Sequence, residues 1–223
     1  MSAFVGLAAC SDDDADPGTS SGGTSSGGTS GGTSGGTSGG TSGGTSGGTS
    51  SGDPADSGSD AETGPLTLSS TAYANGETIP QKHECSSNGP GDNVSPPLAW
   101  SGAPAGTQSY AIVMRDLDYM PAGEPFIHWV IWDIPGSARS LAENVEHVAE
   151  PGTPSGAKQA KFNGSITGYQ GPCSPGQVNT YEITIYAIPT ATLAGIDTNT
   201  DKVAAAAAIV EAATASAKLT GES

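Results

Sequence analysis

Three apolar stretches dominate the pattern of hydrophobic and polar positions in the second half of the chain. Residues 110–114 and 126–134 are rich in β-branched and aromatic side chains and are bounded by turn residues, which is typical of buried strands. Residues 181–188 alternate with a period of two, which predicts a strand with one apolar face. The residues expected on that face are Tyr181, Ile183, Ile185 and Ala187.

Weaker patterns flank these strands. Residues 66–70 alternate as a half-buried strand. Near the other end, residues 201–218 are rich in alanine and follow a Thr198-x-x-Asp201 capping signature, so a helix is predicted there. The face of this helix that is expected to dock on a sheet consists of Val203, Ile209 and Val210.

Composition divides the chain of 223 residues into three parts. Residues 1–10 form a short apolar segment that ends at Cys10, residues 11–63 are rich in Gly, Ser and Thr, and residues 64–223 have core-forming content for one domain. Much of the middle part repeats Gly-Gly-Thr-Ser, which offers no apolar side chain to bury and predicts a disordered linker. A coil of about 55 residues spans roughly 40 Å, so the linker is expected to act as a tether.

The segment Leu7-Ala8-Ala9-Cys10 resembles the lipobox of bacterial lipoproteins, in which the cysteine carries the lipid. That pattern also includes a positively charged start and a longer apolar core, which this sequence lacks, and a chance match is the alternative. By the resemblance, residues 1–10 are a signal remnant and Cys10 is the lipidation site. Ser11 after the cysteine favours the outer membrane of a bacterial cell envelope, with the domain periplasmic or surface-exposed.

The chain is strongly acidic, with a formal net charge of -16 and a pI of about 4.1. All seven Lys and Arg residues lie after position 80. Nucleic acid is disfavoured as a partner, because its recognition depends on phosphate neutralisation by Lys and Arg. No stretch approaches the roughly 18 apolar residues of a spanning helix, so membrane association is expected through the lipid alone.

The sharpest chemical feature is a set of polar residues at strand ends. Asp116 and Asp118 follow the first buried strand, and they share a face if the backbone stays extended. Pro121 and Gly123 allow the chain to turn back, which brings His128 toward both carboxylates. The functional interpretation is a mixed site of two acids and an imidazole. The alternative is ordinary turn capping by aspartate beside a packed histidine.

The cysteines indicate a disulfide. Assigning Cys10 to the lipid leaves Cys85 and Cys173, and in an exported protein this parity argues that the two are bridged. A free catalytic thiol and a metal ligand are the alternatives, although the sequence contains no Cys-x-x-Cys motif to support them.

Several short motifs follow one another between about Leu66 and Gly221. They are Asn93-x-Ser95-Pro96-x-Leu98-x-Trp100, Ser101-Gly102-Ala103-Pro104-Ala105-Gly106-Thr107-x-Ser109, Asp116-x-Asp118 with Pro121, His128-Trp129-Val130, and Gly168-Tyr169-x-Gly171-Pro172-Cys173 with Tyr181. In this order and spacing they resemble the phosphatidylethanolamine-binding protein family, in particular its bacterial Raf-kinase-inhibitor-like branch.

That resemblance implies a mostly β, β-sandwich-like fold with a large central antiparallel sheet, a smaller sheet and a C-terminal helix. It also implies a surface pocket for a small anion or a phosphorylated head group. The residues that match the lining of that pocket by position are Asp116, Asp118, His128, Gly171, Pro172 and Tyr181. For an anion to sit beside two carboxylates, His128, a tyrosine hydroxyl and backbone N–H groups of the Gly171 loop are expected to bind it.

The sequence departs from the family pattern at two places. Leu117 stands where the family usually has proline, and Asn179-Thr180-Tyr181 stands where it commonly has His-Arg-Tyr. A second histidine and a positive charge are therefore missing, and Asn179 is expected to donate a hydrogen bond to the ligand instead. The loss of one charge-assisted hydrogen bond costs about 1.5 to 3 kcal/mol.

The leading interpretation is a non-enzymatic binding domain on a lipid tether, with no cofactor, no metal and, as a further expectation, a protein partner. The sequence contains no nucleophile elbow, P-loop or metal-binding helix motif. One alternative is a hydrolase in which Asp116, Asp118 and His128 bind a metal or act as an acid/base pair. The other is a scaffold with a degenerate pocket.

Overall fold

The computed structural model describes residues 64–86, 91–174 and 176–223. The expected signal remnant, the lipidation site at Cys10 and the linker lie outside the described residues. Among the described residues, no helix is both long and apolar enough to cross a bilayer.

A six-stranded sheet forms the centre of the domain. Its strands are β2 (Glu77–Thr78), β4 (Ser109–Asp116), β5 (Phe126–Pro135), β7 (Lys158–Gln159), β8 (Thr180–Ile188) and β9 (Ala215–Glu222). They lie in the order β2-β9-β8-β4-β5-β7. All neighbours pair antiparallel except β2 and β9, which run parallel at one edge.

A smaller sheet covers one face of the large one, and a helix covers the other. The small sheet has the order β1-β3-β6 and consists of β1 (Thr67–Ser69), β3 (Leu98–Ser101) and β6 (Ser140–Leu141). Leu98 and Trp100 of β3 belong to the same buried cluster as one face of the large sheet. Helix α1 (Lys202–Ala212) contributes to a second cluster on the opposite face. The mostly β fold with two sheets is the one predicted.

The central strand β4 reads as a continuous apolar run because both of its faces are buried. Tyr110, Ile112 and Met114 point into the cluster shared with the small sheet, and Ala111 and Val113 point into the cluster shared with α1. A strand buried on both faces shows no alternation in its sequence. On β8 the predicted face is confirmed. Its members in the cluster shared with the small sheet are Tyr181, Ile183, Ile185 and Ala187.

The helix is shorter than predicted, and of the three residues expected to dock, Ile209 is buried while Val203 and Val210 are not. It ends at Ala212, and the chain then enters β9, which pairs with β8 along its whole length. Backbone pairing with a central strand outweighs the helix propensity of the alanines. The docked residues are Ala205, Ala206 and Ile209, while Val203 and Val210 remain 58% and 50% exposed. The small side chains of Ala205 and Ala206 allow the helix to approach the sheet closely, and Ile209 packs between them.

The disulfide predicted from cysteine parity joins Cys85 to Cys173. Beside it, the backbone N–H of Cys85 donates to the carbonyl of Pro172 over 2.8 Å. The segment after the 3-10 helix Gln81–His83 is thereby fastened to the loop that precedes β8.

We expect the double substitution Cys85→Ala/Cys173→Ala to lower the free energy of unfolding by about 2 to 4 kcal/mol, because the bridge closes a long loop in the unfolded chain. The sequence separation of the two cysteines is 88 residues. Thermal unfolding followed by circular dichroism measures the change, with Cys10→Ala as the matched control. A melting temperature equal to that of the control would contradict the expectation.

Candidate functional site

A cavity of about 480 Å³ opens where β4 ends and where β5 and β8 begin. Aromatic rings and polar side chains share its lining. The rings belong to Tyr119, Phe126, His128 and Phe162, and the polar groups to Asp116, Asn163, Gln170, Gln177 and Asn179. A volume of this size suits a small molecule or a head group. We call this cavity the rim pocket.

Asp116, the last residue of β4, is the carboxylate of the rim pocket. Its Oδ1 accepts hydrogen bonds from the backbone N–H groups of Asp118 and Tyr119, each 2.9 Å long, and its Oδ2 accepts from Asn179 Nδ2 at 2.8 Å. Burial opposes ionisation of the carboxyl. Hydrogen bonds from Asn179, the Tyr119 backbone, Tyr181 and the Asp118 backbone outweigh it and hold the pKa of Asp116 below its usual value. Asp116 is therefore ionised at neutral pH.

A β-bulge places His128 in the rim pocket. Met114 pairs with Trp129 and the next residue, Arg115, pairs with Ile127, so His128 is an extra residue on β5. Such bulges bend a strand locally and redirect its side chains. The imidazole of His128 lines the same cavity as the carboxylate on β4.

Two hydrogen bonds fix the His128 ring against the loop before β8. Nδ1 lies 3.0 Å from the carbonyl oxygen of Gln170, and the N–H of Gln170 donates to the carbonyl of His128. A carbonyl can only accept, so Nδ1 carries the proton and Nε2 is the basic nitrogen. Burial lowers the pKa of His128, and the charge of Lys202 adds to the effect. The Gln170 carbonyl and Asp116 oppose it. The ring is neutral at pH 7.

Asn179 and Tyr181 stabilise these two groups from β8 and the residue before it. Asn179 lines the rim pocket, but its Nδ2 donates to Asp116, and its Oδ1 accepts from Gln177 Nε2 at 3.0 Å. Tyr181, which was expected to line the pocket, is not among the lining residues; it packs edge-on against the His128 ring with centroids 5.2 Å apart. Its hydroxyl bonds to Ser174 Oγ at 2.6 Å, and burial raises the pKa of Tyr181 to about 12.

Asp118 does not join Asp116 in the rim pocket. The two backbone N–H groups that donate to Asp116 Oδ1 fold the chain into a turn, so the extended backbone assumed from the sequence is absent. Asp118 is exposed, and its Oδ2 accepts from the N–H of Thr180 at 2.6 Å. Its role is to hold the turn against the start of β8.

Gly171 and Pro172 are buried behind the pocket and do not line it. The N–H of Gly171 donates to Asn93 Oδ1 at 2.8 Å, and the carbonyl of Pro172 accepts from Cys85. The backbone donor that was expected to bind an anion is therefore already paired. Gly171 is needed for close packing, because a Cβ there would collide with the His83 carbonyl.

Sequence reasoning missed Phe162, Asn163, Gln170 and Gln177. Gln170 is 2% exposed, its Nε2 lies 3.4 Å from Cys173 Sγ, and its Oε1 is buried with no hydrogen-bond partner among the described residues. The available signal was Phe162, an aromatic residue set in the polar loop Lys161-Phe162-Asn163-Gly164-Ser165. Nothing local distinguishes Gln170.

Lys202 lies against the rings of Phe126 and Phe162, on the side away from the rim pocket lining. Its Nζ donates to the carbonyl of Ile127 at 2.8 Å and lies 4.0 Å from the ring centroids of both Phe126 and Phe162. Burial lowers the pKa of Lys202 to about 8, against an opposing effect of Asp201. Lys202 lines a neighbouring groove of about 690 Å³ beside α1, and no Lys or Arg of the described residues lines the rim pocket itself.

The described part of the chain contains no group of three or more His, Cys, Asp or Glu side chains arranged to hold a metal ion. With Asp118 turned away, the rim pocket has Asp116 as its carboxylate and His128 as its imidazole. Two such groups in fixed hydrogen bonds can bind and orient a polar ligand.

The two packed sheets, with a pocket at the strand ends of the larger one, define a small β-sandwich-like binding domain. The family model described as Phosphatidylethanolamine-binding protein matches residues 69–223, and the chain belongs to that family. The crystal structure of Escherichia coli YbcL, titled a new member of the mammalian PEBP family, superposes with a TM-score of 0.63. It shares 27% identity and covers 71% of this chain and 98% of its own.

Sequence similarity extends to proteins of Mycobacterium tuberculosis and Methanothermobacter thermautotrophicus. LppC of Mycobacterium tuberculosis, which bears the name of a lipoprotein, is 36% identical over 160 residues, which is 70% of this chain and 71% of LppC. A UPF0098 protein of Methanothermobacter thermautotrophicus is 34% identical over 125 residues, which is 56% of this chain and 78% of that protein.

We expect Asp116→Asn to lower the free energy of unfolding at pH 7 by about 1 to 3 kcal/mol, because the substitution removes the charge from buried hydrogen bonds. The folded pKa of Asp116 is depressed, so its contribution is fully present above the ordinary carboxyl pKa of 3.8 and is lost as the pH falls through the folded value. The stability gap between the two proteins should therefore close in acid. Denaturant titrations from pH 7 to pH 2.5 measure it, and a gap of constant size would contradict this role.

Proposed function

We propose that this domain is a non-enzymatic binding module that holds a small phosphorylated head group in the rim pocket. The observation that carries the proposal is the meeting of a buried carboxylate, Asp116, and a buried imidazole, His128, in one cavity open to solvent. Buried ionisable groups in a cleft are a physical sign of a ligand site.

The phosphorylated head group is favoured over a bare anion. The rim pocket has no Lys or Arg lining among the described residues, and the N–H of Gly171 is already bonded. A bare anion would face Asp116 with little to compensate the repulsion. A head group that also carries hydrogen-bond donors can bind the carboxylate and keep its anionic part at the solvent-exposed rim.

The position of Asp118 supports a binding role over a catalytic one. An acid/base pair needs two groups that exchange protons with the substrate. Asp118 is exposed and bonded to Thr180, while the carboxylate of Asp116 already accepts hydrogen bonds from Asn179 and from the backbone N–H groups of Asp118 and Tyr119. This arrangement favours a site that orients its ligand without transferring a proton.

The proposal includes a lipid on Cys10 that tethers the domain to a membrane of the bacterial envelope. Ser11, the residue after Cys10, favours the outer membrane. Support comes from the lipobox-like Leu7-Ala8-Ala9-Cys10 and from the name of the relative LppC. An anchored domain would meet head groups at the membrane surface at high local concentration, which raises the occupancy of a pocket of modest affinity.

We expect wild-type protein to bind phosphoethanolamine and His128→Ala to bind it at least about tenfold more weakly, since one hydrogen bond to a charged ligand is worth about 1.5 to 3 kcal/mol. Isothermal titration calorimetry measures both. His147→Ala, at an exposed histidine outside the pocket, is the matched control. Absence of binding to the wild type would favour a scaffold with a degenerate pocket, and equal affinity in His128→Ala would place the ligand elsewhere.

The tether is tested separately from the pocket. In a bacterial host that processes lipoproteins, we expect the full chain to partition into the detergent phase of a Triton X-114 extraction. Cys10→Ser should remain in the aqueous phase, because its hydroxyl cannot form the thioether. Equal partitioning of the two proteins would refute lipidation at Cys10.

A further inference from the structure

We propose that the groove beside α1 is a second binding site, separate from the rim pocket, and that it takes an amphipathic monocarboxylate with an aliphatic body. The groove has a volume of about 690 Å³, which lies in the usual range for small-molecule sites. We call it the helix groove. The carboxylate of the ligand is held at one end by Lys202 and Arg115, and its aliphatic part lies along the helix.

One wall of the helix groove is an apolar stripe of α1. The residues that form it are Val203, Ala206, Ala207 and Val210. Their spacing of i, i+3, i+4 and i+7 places them on one side of the helix. Val203 and Val210 are 58% and 50% exposed, so the described part of the chain leaves this stripe largely uncovered. The stripe therefore offers apolar surface to a ligand.

The opposite wall is the loop between β4 and β5. Its lining residues are Pro121, Ala122 and Pro125, followed by Phe126 and Ile127 at the start of β5. Proline has no backbone N–H, so this wall offers few donors to a polar ligand. An aliphatic chain is favoured between the two walls, because its own apolar surface and theirs are removed from water together.

Two cations meet at one end of the helix groove, around Ile127. Arg115 pairs with Ile127 across β4 and β5, and Lys202 Nζ donates to the Ile127 carbonyl at 2.8 Å. Both basic side chains line the groove. Arg115 Nη1 donates to the hydroxyl of Tyr186 at 3.2 Å, which uses one of the five N–H donors of the guanidinium.

Neither of these cations has a carboxylate partner within 4.0 Å among the described residues. The lysine ion pairs found there are Lys82 with Glu143, Lys158 with Asp133, and Lys218 with Glu182. Glu182 stands opposite Arg115 on β8, but its two oxygens accept from Lys218 and Thr184. In a chain with a formal net charge of -16, two cations without an anion in one apolar groove indicate an anionic ligand.

The environment of Lys202 supports the same ligand. Burial lowers the pKa of Lys202 to about 8, against the opposing charge of Asp201, because a half-buried ammonium is poorly solvated. A ligand carboxylate beside Nζ would stabilise the charged form and raise this pKa again. A guanidinium can donate two parallel hydrogen bonds to one carboxylate, so Arg115 would also orient the ligand.

Two acidic residues of the lining disfavour a second acidic group on the ligand. Glu211 follows Lys202 by nine positions on α1, which is about 13 Å along the helix axis. Glu124 is an exposed residue of the β4–β5 loop. A carboxylate at the far end of a bound ligand would face Glu211 and be repelled. The helix groove therefore selects a ligand with one acid and an uncharged body.

The test titrates the full chain as Cys10→Ser, so that no lipid or detergent competes for the groove, with octanoate, octylamine, 1-octanol and acetate. NMR chemical shifts locate the binding. We expect octanoate to shift the amide resonances of Val203 and Val210. It should bind at least about tenfold more tightly than octylamine or octanol, because a hydrogen bond to a charged group is worth about that factor. Acetate, which lacks the aliphatic body, should also bind more weakly than octanoate.

The pH dependence provides a second measurement. The charged or titratable groups around Lys202 are Asp201, His128, Arg115, Glu124 and Glu211. Burial holds the pKa of His128 below its ordinary value of 6.5, so His128 stays neutral above pH 7. The ammonium of Lys202 is lost as the pH rises through its pKa of about 8. Octanoate affinity should therefore fall between pH 7 and pH 9.5.

Three variants connect the binding to named side chains. Lys202→Met keeps the length of the side chain and removes its charge, so it should weaken octanoate binding at least about tenfold and abolish the pH dependence. Arg115→Gln should weaken it as well, which keeps the test decisive if the first variant lowers the melting temperature. Val210→Ser should weaken octanoate and octanol to the same extent. Lys82→Met, at a lysine outside the groove, is the matched control.

The outcomes distinguish this site from the rim pocket. Equal affinity for octanoate and octylamine would show an apolar cleft without charge selection and would overturn the proposal. Octanoate shifts confined to Asn163 and Asn179 of the rim pocket, unchanged affinity in Lys202→Met, or no binding of octanoate would also overturn it. Each of these results leaves the proposed function standing, because that function is tested by a separate titration with phosphoethanolamine.

Discussion

The buried carboxylate of Asp116 and the hydrogen bonds that hold it determine the shape of the rim pocket. One oxygen accepts from two consecutive backbone N–H groups, which forms the turn that ends β4, and the other accepts from Asn179 just before β8. The carboxylate therefore joins two neighbouring strands at their ends. Burial disfavours the ionised form of this carboxyl, and the hydrogen bonds that it accepts stabilise the ionised form. The ligand chemistry of the pocket follows from this one charge.

The second determinant is the loop that carries Gln170. Its backbone exchanges two hydrogen bonds with His128 and so selects the tautomer of the imidazole. The loop is held in turn by Asn93, which bonds to Tyr169 and Gly171, and by the bridge from Cys173 to Cys85. The disulfide thus contributes to the site as well as to stability, because the loop has little regular structure of its own and depends on these contacts for its position.

The strands were predictable from the sequence because their burial leaves a local pattern. The central strand is apolar throughout since the large sheet is covered on both faces, and β8 shows its inner face as a period of two. The end of α1 was not predictable, because residues after Ala212 have high helix propensity but gain backbone pairing with β8. Asp116 and His128 stood out as polar residues at the ends of apolar runs. The prediction that Asp118 shares a face with Asp116 was wrong, because a hydrogen-bonded turn changes the direction of its side chain. The place of Gln170 in the pocket was not predictable, because it depends on contacts with residues distant in sequence.

The rim pocket depends on a neutral His128 whose Nδ1 donates to the Gln170 carbonyl and whose Nε2 is free to accept. The most direct measurement is the ¹⁵N spectrum of the His128 ring in the full chain at pH 7. We expect a proton on Nδ1, an unprotonated Nε2, and a change of the Nε2 resonance when phosphoethanolamine is added. A proton on Nε2 in the free protein, or a doubly protonated ring, would contradict it.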